Sequence, residues 1–391
     1  MNSLIKDKMV RRGFHLTSVD LFSGPGGLAT GFKWAGILPL IAVEWTDTTA
    51  KTYSRNHDTD VFELSAYIGP KGKKNQSYLE SFCVESDRSV LIHGDINLVS
   101  SQLIKKLLME RFGIDCQNET IDIVSGGAPC ESFSLAGTRT IGDDRDELFS
   151  NISRIAKYIK SKAILFENVK GLFSKKSKEG VQGAIFQYIC DTFERGGQYK
   201  LMSRDPNTVL LKACDYGVPQ MRERLFLISL RKDIARTKSY EYPIPSFGPD
   251  KPNPYVSVSD AIYDLPKVES GEESESYQFP LSFQNENQER FVKLMRGIDL
   301  PNINSKTPDS LKDSFDSTAT LSLHKGPGHV KKKMELLKLI PPVVACVPFL
   351  KNWNNRGNLM LSDTYFPIQY MEVAIGGCLK TSQATLSHHI V

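Results

Sequence analysis

No Cys-x-x-Cys pair occurs among the seven cysteines of this 391-residue chain. Cysteines scattered in this way argue against a structural zinc site and against a disulfide framework, and point to a reducing compartment. No metal site is expected. No apolar run approaches the length of a membrane span. The charged opening Met1 to Arg12 lacks the apolar core of a secretory signal. A soluble cytoplasmic protein with no membrane partner is therefore expected. Internal repeats and long low-complexity segments are also missing, which removes solenoids and largely disordered chains. An excess of one charge is lacking too: 49 Lys and Arg face 45 Asp and Glu, a net charge of +4. That weak basicity is compatible with a polyanionic partner without requiring one. What remains is ordinary globular composition, 40% hydrophobic and 24% charged, on a chain long enough for two domains.

The motifs that are present punctuate a series of short apolar runs. Thr17-Ser18-Val19-Asp20-Leu21-Phe22 reads as a strand, Ser23-Gly24-Pro25-Gly26-Gly27 as a tight turn, and the residues through Trp34 as a helix. Strand, glycine turn and helix open a nucleotide-binding α/β unit, because glycines let a ligand approach the backbone and the helix start favours electron-rich groups. Many such turns only join a strand to a helix, so alone the signal is weak. The next run, Leu40 to Trp45, ends in Glu44, about twenty residues past the turn, where an acid can bind ribose hydroxyls or simply be solvated. Thr46 to Asn56 reads as a helix. His57 to Arg88 is irregular and reads as a surface insertion. Val90 to Ile96 gives a third strand end, with Asp95 placed to accept from an exocyclic amine and Ile96 to pack on a ring.

A fourth run, Ile121 to Val124, leads into Gly126-Gly127-Ala128-Pro129-Cys130. A cysteine just past the carboxyl end of a strand is a candidate nucleophile, and equally a small apolar loop residue. A fifth strand, Ala163 to Phe166, ends in Glu167-Asn168-Val169. Thr208 to Cys214 and Arg224 to Leu230 read as further strands, with Arg222 and Arg224 alternating on one side of an extended chain, placed to hold an anion or a carbonyl. Prolines cluster from Pro243 to Pro254 and mark a change of texture.

In this order, the motifs resemble those of the DNA (cytosine-5) methyltransferase family, over roughly residues 17 to 230. Carrying the resemblance are Asp20 to Gly27, Glu44, Asp95-Ile96, Pro129-Cys130, Asp146 with Leu148, Glu167-Asn168-Val169, and Gly217 through Arg224. The resemblance implies a doubly wound, mostly parallel Rossmann-like sheet of the S-adenosylmethionine-dependent methyltransferase type with a smaller target-recognition domain. The expected boundaries are 1–238 and 239–391. It implies Cys130 as the nucleophile that adds to carbon 6 of cytosine, with Glu167 bonded to ring nitrogen 3 and the amino group. Arg222 or Arg224 would hold the carbonyl, and Asn168 would fix the loop. S-adenosylmethionine would lie over Gly24, Gly26 and Gly27, touching Phe22, Glu44, Asp95, Ile96, Pro129 and Leu148. The implied partner is duplex DNA with its target base flipped out, in a restriction–modification system with a cognate endonuclease acting at the same site.

The sequence departs from the family near its end. Lys380 to His389 resembles the lead-in to the family's closing motifs, and the motifs themselves do not follow before Val391. Three expectations arise: truncation, a frameshift, or a split enzyme completed by a second chain. A tRNA methyltransferase is the alternative substrate reading, disfavoured by the absence of that subfamily's Cys-Phe-Thr motif.

Overall fold

The computed structural model describes residues 1–69, 72–84, 86–129, 148–175, 181–262, 264–265 and 282–295. Cys130, Asp146, Gly271 to Ser276, and everything from Arg296 onward, including the basic stretch Ser322 to Lys333 and the closing region, lie outside them.

The strands are β1 (Leu16–Leu21), β2 (Ile37–Glu44), β3 (Thr59–Glu63), β4 (Ser89–His93), β5 (Ile123–Gly126), β6 (Ala163–Val169), β7 (Tyr199–Leu201), β8 (Leu210–Lys212) and β9 (Glu223–Arg231). The helices that matter for the site are α1 (Ser3–Arg12), α2 (Gly27–Trp34), α3 (Asp47–Asn56), α4 (Leu64–Tyr67), α5 (Gln76–Phe82), α6 (Ser101–Phe112) and α7 (Ser150–Ile159). A 3-10 turn, Ile96–Leu98, follows β4.

Strand order is β3-β4-β2-β1-β5-β6-β9-β7, with β8 also pairing β9. The first six of these strands run parallel, and β9 is antiparallel to β6, β7 and β8. The chain winds outward from β1 through β2, then returns to start again at β5 on the other side. Ligands in such sheets bind past the carboxyl ends of the strands at that reversal. Here the reversal falls between β1 and β5, whose ends are in register, Leu21 opposite Gly126.

Both faces of the sheet are covered, so β2 is buried along its whole length and reads as a continuous apolar run rather than an alternating one. One face packs Val19, Leu21 and Val124 against Leu103, Ile104 and Leu107 of α6 and Ile152, Ile155 and Ile159 of α7. Their spacing puts each set on one side of a helix. Helix α6 is well delimited: Ser100 accepts from the Leu103 N–H, and Gly113 ends it in the left-handed region. The other face uses small residues, Ala29 of α2 and Ala50 of α3 against Ala42 and Leu91, with Tyr53 closing the layer. Small side chains there let α2 and α3 lie close to the sheet.

Two expectations are corrected. The stretch from His57 to Arg88 is not a surface insertion: it contributes the edge strand β3 and buries Phe62, Leu64, Tyr67 and Leu79 in the main core. Thr208 to Cys214 is not one strand. Asp205 caps a helical turn, Pro206–Val209, and only Leu210–Lys212 pairs with β9. β9 begins at Glu223, so Arg224 lies on the strand and Arg222 just before it, its carbonyl accepting from the Ala213 N–H.

The described residues form two compact units. One takes in Met1–Lys212 with Glu223–Ile244; the other comprises Ala213–Arg222 and the described residues from Pro245 onward. In the second unit, the Asp215 carbonyl accepts from the Ser246 and Phe247 N–H groups, and the Tyr255 hydroxyl donates to the Asp215 carboxylate at 3.1 Å. No helix among the described residues is long and apolar enough to cross a membrane.

Candidate active site

The turn after β1 has three residues in the left-handed region before α2 begins: Phe22 (φ 58°), Gly24 (φ 55°) and Gly26 (φ 96°). A phenylalanine held there is strained, and such strain persists only where surrounding structure enforces it. The enforcement is visible. The Ser23 N–H donates to the Val43 carbonyl at 3.0 Å, the Gly26 N–H to Ser23 at 3.1 Å, and the Gly24 N–H to Glu44 Oε2 at 2.9 Å. The other carboxylate oxygen of Glu44 accepts from the Thr46 N–H and the Thr49 hydroxyl, at 2.8 and 2.9 Å. Glu44 is thus both the buried end of β2 and a clamp on the turn. A Cβ at Gly24 would meet no heavy atom within 4 Å, so the space over the turn is open. No side chain caps the start of α2, which leaves its first amides for an electron-rich group.

Beside Glu44, the Trp45 ring is 71% exposed. A flat apolar face next to a carboxylate suits a nucleoside. Asp95 is exposed and uses its side chain to cap the 3-10 turn through the Asn97 N–H. Ile96 was expected to cover a ring. It is 5% exposed and packs in the main core, with the exposed Leu98 beside it. Phe22 and Leu148 are partly buried against the main core.

The second half of the site lies at the ends of β5 and β6. Glu167 sits on β6, and its Oε1 is 2.8 Å from the Arg224 Nε of β9. In the antiparallel register Arg224 pairs with Val169, two residues from Glu167, so the two side chains share a face as diagonal neighbours. Arg224 also donates from Nη1 to the Glu223 carbonyl at 2.9 Å, which leaves Nη2 for a further acceptor. A Cβ on Gly127 would lie 2.8 Å from Glu167 Oε2, so the carboxylate packs directly on the loop backbone and a side chain at 127 would push it aside. Asn168, fully buried, donates from Nδ2 to the Ala128 carbonyl at 3.4 Å. The exposed Pro129 is the last described residue before Cys130. Arg222 belongs to the second unit, where its carbonyl accepts from the Ala213 N–H and its buried Nε has no hydrogen-bond partner.

Two buried groups near the turn were not anticipated. Asp20, on β1, accepts from the Ser125 hydroxyl at 2.7 Å on one oxygen, and the other is buried without a partner. Burial pushes its carboxyl up to about 7, with the Ser125 bond opposing and the nearby Glu44 charge adding to the rise. His57 is the other: its Nε2 lies 2.7 Å from the Gly26 carbonyl. Polar residues inside an apolar strand, or at a helix end, carry no distinguishing pattern in the sequence.

A profile of C-5 cytosine-specific DNA methylases matches residues 16–67 and 74–334. The type II methyltransferase M.DdeI of Desulfomicrobium norvegicum is 31% identical over 277 residues, which cover 70% of this chain and 54% of that protein. M.FnuDI of Fusobacterium nucleatum is 34% identical over 248 residues, covering 63% and 55%. M.AquIA of a Picosynechococcus strain is 30% identical over 261 residues, covering 63% and 88%. The chain therefore spans about half the length of the first two relatives and most of the third. Among solved structures, a prophage-encoded E. coli protein described as a DNA modification methyltransferase superposes with a TM-score of 0.54 at 24% identity. It covers 82% of this chain and 74% of that one, so the two share a fold.

Proposed function

This chain belongs to the C-5 cytosine-specific DNA methylase family, and from that premise we propose that it methylates carbon 5 of cytosine at a specific site in duplex DNA. The observation that carries the reading is the register of Leu21 with Gly126. It makes the glycine turn and the loop leading to Cys130 leave the sheet side by side, so a methyl donor over one turn and a base at the other would meet.

The residues fit S-adenosylmethionine. The open space over Gly24 and the uncapped start of α2 suit its carboxylate end, while Glu44 and Trp45 offer an acceptor and a stacking face to a nucleoside. Gly26, Gly27, Phe22, Asp95, Pro129 and Leu148 would complete the pocket. When bound, that group supplies an electrophilic methyl.

The chain's own residues would prepare the base. Carbon 5 of cytosine is too weak a nucleophile unaided. Addition of the Cys130 thiolate at carbon 6 makes carbon 5 enamine-like, splitting one hard step into two. Glu167 would bond ring nitrogen 3 and the amino group. Arg224, already holding Glu167 through Nε, would direct Nη2 at the ring carbonyl, and Asn168 would hold the loop through Ala128. After methylation a base removes the carbon 5 proton, and the Cys130 sulfur leaves with its electron pair. The target base must leave the stack to reach such a site.

The names of the type II methyltransferase relatives support a role as the modification arm of a restriction–modification system, with a cognate endonuclease cutting the same unmodified site. A second chain carrying the family's closing motifs is the proposed partner where the single chain proves inactive. The test is transfer of tritiated methyl from S-adenosylmethionine to duplex DNA and to tRNA, with and without a polypeptide bearing those motifs, followed by nucleoside mass spectrometry. 5-Methylcytosine in duplex DNA is expected. Label in tRNA alone, or on another base, overturns the reading.

A further inference from the structure

Helix α3 holds the glycine turn at both ends. At its start, Thr46 and Thr49 fix Glu44, which takes the Gly24 N–H. At its end, His57 closes the helix as C-cap, its N–H donating to the Tyr53 carbonyl at 3.0 Å, and its side chain reaches back to the turn. The partner there is the Gly26 carbonyl, 2.7 Å from Nε2. A carbonyl can only accept, so Nε2 carries the hydrogen and Nδ1 does not. Nδ1 is buried with no hydrogen-bond partner. The ring lies 4.5 Å from the Tyr53 ring and is 2% exposed. Burial, followed by the Lys33 charge, holds the imidazole well below its usual pKa against the opposing effect of the Gly26 bond, which keeps it neutral. A Cβ at residue 26 would fall 2.1 Å from Nε2, so the glycine there is demanded by the histidine as well as by φ.

We propose that His57 is a positioning residue for the methyl donor: its Nε2–H bond to the Gly26 carbonyl, added to those from the Thr30 N–H and hydroxyl, steadies the left-handed conformation of the turn on which S-adenosylmethionine rests. The inference rests on the cofactor reading above. A histidine that only fills core would contribute ring volume; a positioning histidine contributes its donor. The two are separable because His57→Phe keeps the ring and removes the donor, whereas His57→Gln keeps a donor nitrogen at the same number of bonds from Cα and loses the ring.

The experiment is calorimetric titration of the full chain with S-adenosylmethionine and S-adenosylhomocysteine, alongside thermal melts. His57→Phe should bind both about tenfold more weakly at a nearly unchanged Tm. His57→Gln should bind within about threefold of the parent despite a lower Tm, as expected for a single buried hydrogen bond. Equal binding by parent and His57→Phe, or binding by His57→Gln as weak as by His57→Phe, overturns the proposal. If the parent binds neither ligand, the cofactor reading itself fails. A second measurement needs no variant. Long-range proton–nitrogen spectra of the parent should show one imidazole protonated at Nε2 and bare at Nδ1, with its signals moving on cofactor addition. A proton on Nδ1, or signals indifferent to the cofactor, also overturns it.

Discussion

Arg224 and Glu167 form an ion pair across β9 and β6, Nε to Oε1 at 2.8 Å, with both side chains largely buried. The pair separates two arginines that the sequence left equivalent. Arg224 holds the carboxylate proposed to bind the base, whereas Arg222 sits in the other unit. Truncating one member of a buried charged pair leaves the other uncompensated. Arg224→Ala is therefore expected to lower kcat by about a hundredfold or more, in line with loss of a preorganised donor. Its S-adenosylmethionine affinity should be unchanged by calorimetry. Arg222→Ala is expected to reduce kcat less. Equal losses in the two variants would remove the distinction.

Gly127 is the tightest point between loop and carboxylate. A methyl group there needs the space of Glu167 Oε2, 2.8 Å away. Gly127→Ala should displace the carboxylate and cost about tenfold or more in kcat, since small misplacement of a catalytic group is expensive. Cofactor binding and Tm should change little. Unaltered turnover would show that Glu167 need not stand where it does.

Asp20 should give the protein a distinctive pH dependence. Its carboxyl is raised from 3.8 to about 7 in the folded chain. The folded state therefore keeps a proton that the unfolded state releases. The associated stability is full below about pH 4 and is lost as pH rises to about 7, amounting to something on the order of 4 kcal/mol. Asp20→Asn retains an acceptor for Ser125 and removes the titration. The difference in unfolding free energy between parent and variant should shift towards the variant between pH 4 and 7 and level off above that. A difference that stays constant with pH would place the ionisation elsewhere.

Much of this arrangement was legible in the sequence, because glycines, prolines and strand-terminal polar residues punctuate a parallel sheet at its carboxyl edge. β1, β2, β5, β6 and β9 all announce themselves as apolar runs. β3 did not: Thr59–Glu63 is short, carries two acids, and its burial follows no clean alternation, so it reads as irregular chain. β7 has three residues and no pattern to find. The contacts of His57 and Asp20 stayed hidden for a different reason. The importance of the two residues lies in what they touch across the fold, the Gly26 carbonyl and Ser125, and neither contact is local in sequence.

The central claim is that Cys130 attacks a cytosine held by Glu167 and Arg224. It is tested most directly by incubating the chain with a duplex library carrying 5-fluorocytosine and S-adenosylmethionine, with the closing-motif polypeptide added in parallel. Fluorine cannot leave as the carbon 5 proton does, so a competent enzyme stays attached to DNA. The expected result is a denaturant-stable protein–DNA adduct, mapped by peptide mass spectrometry to Cys130 and absent from Cys130→Ser. An adduct that persists in Cys130→Ser, or labelled 5-methylcytosine formed from ordinary duplex without any adduct on the fluorinated one, would contradict it.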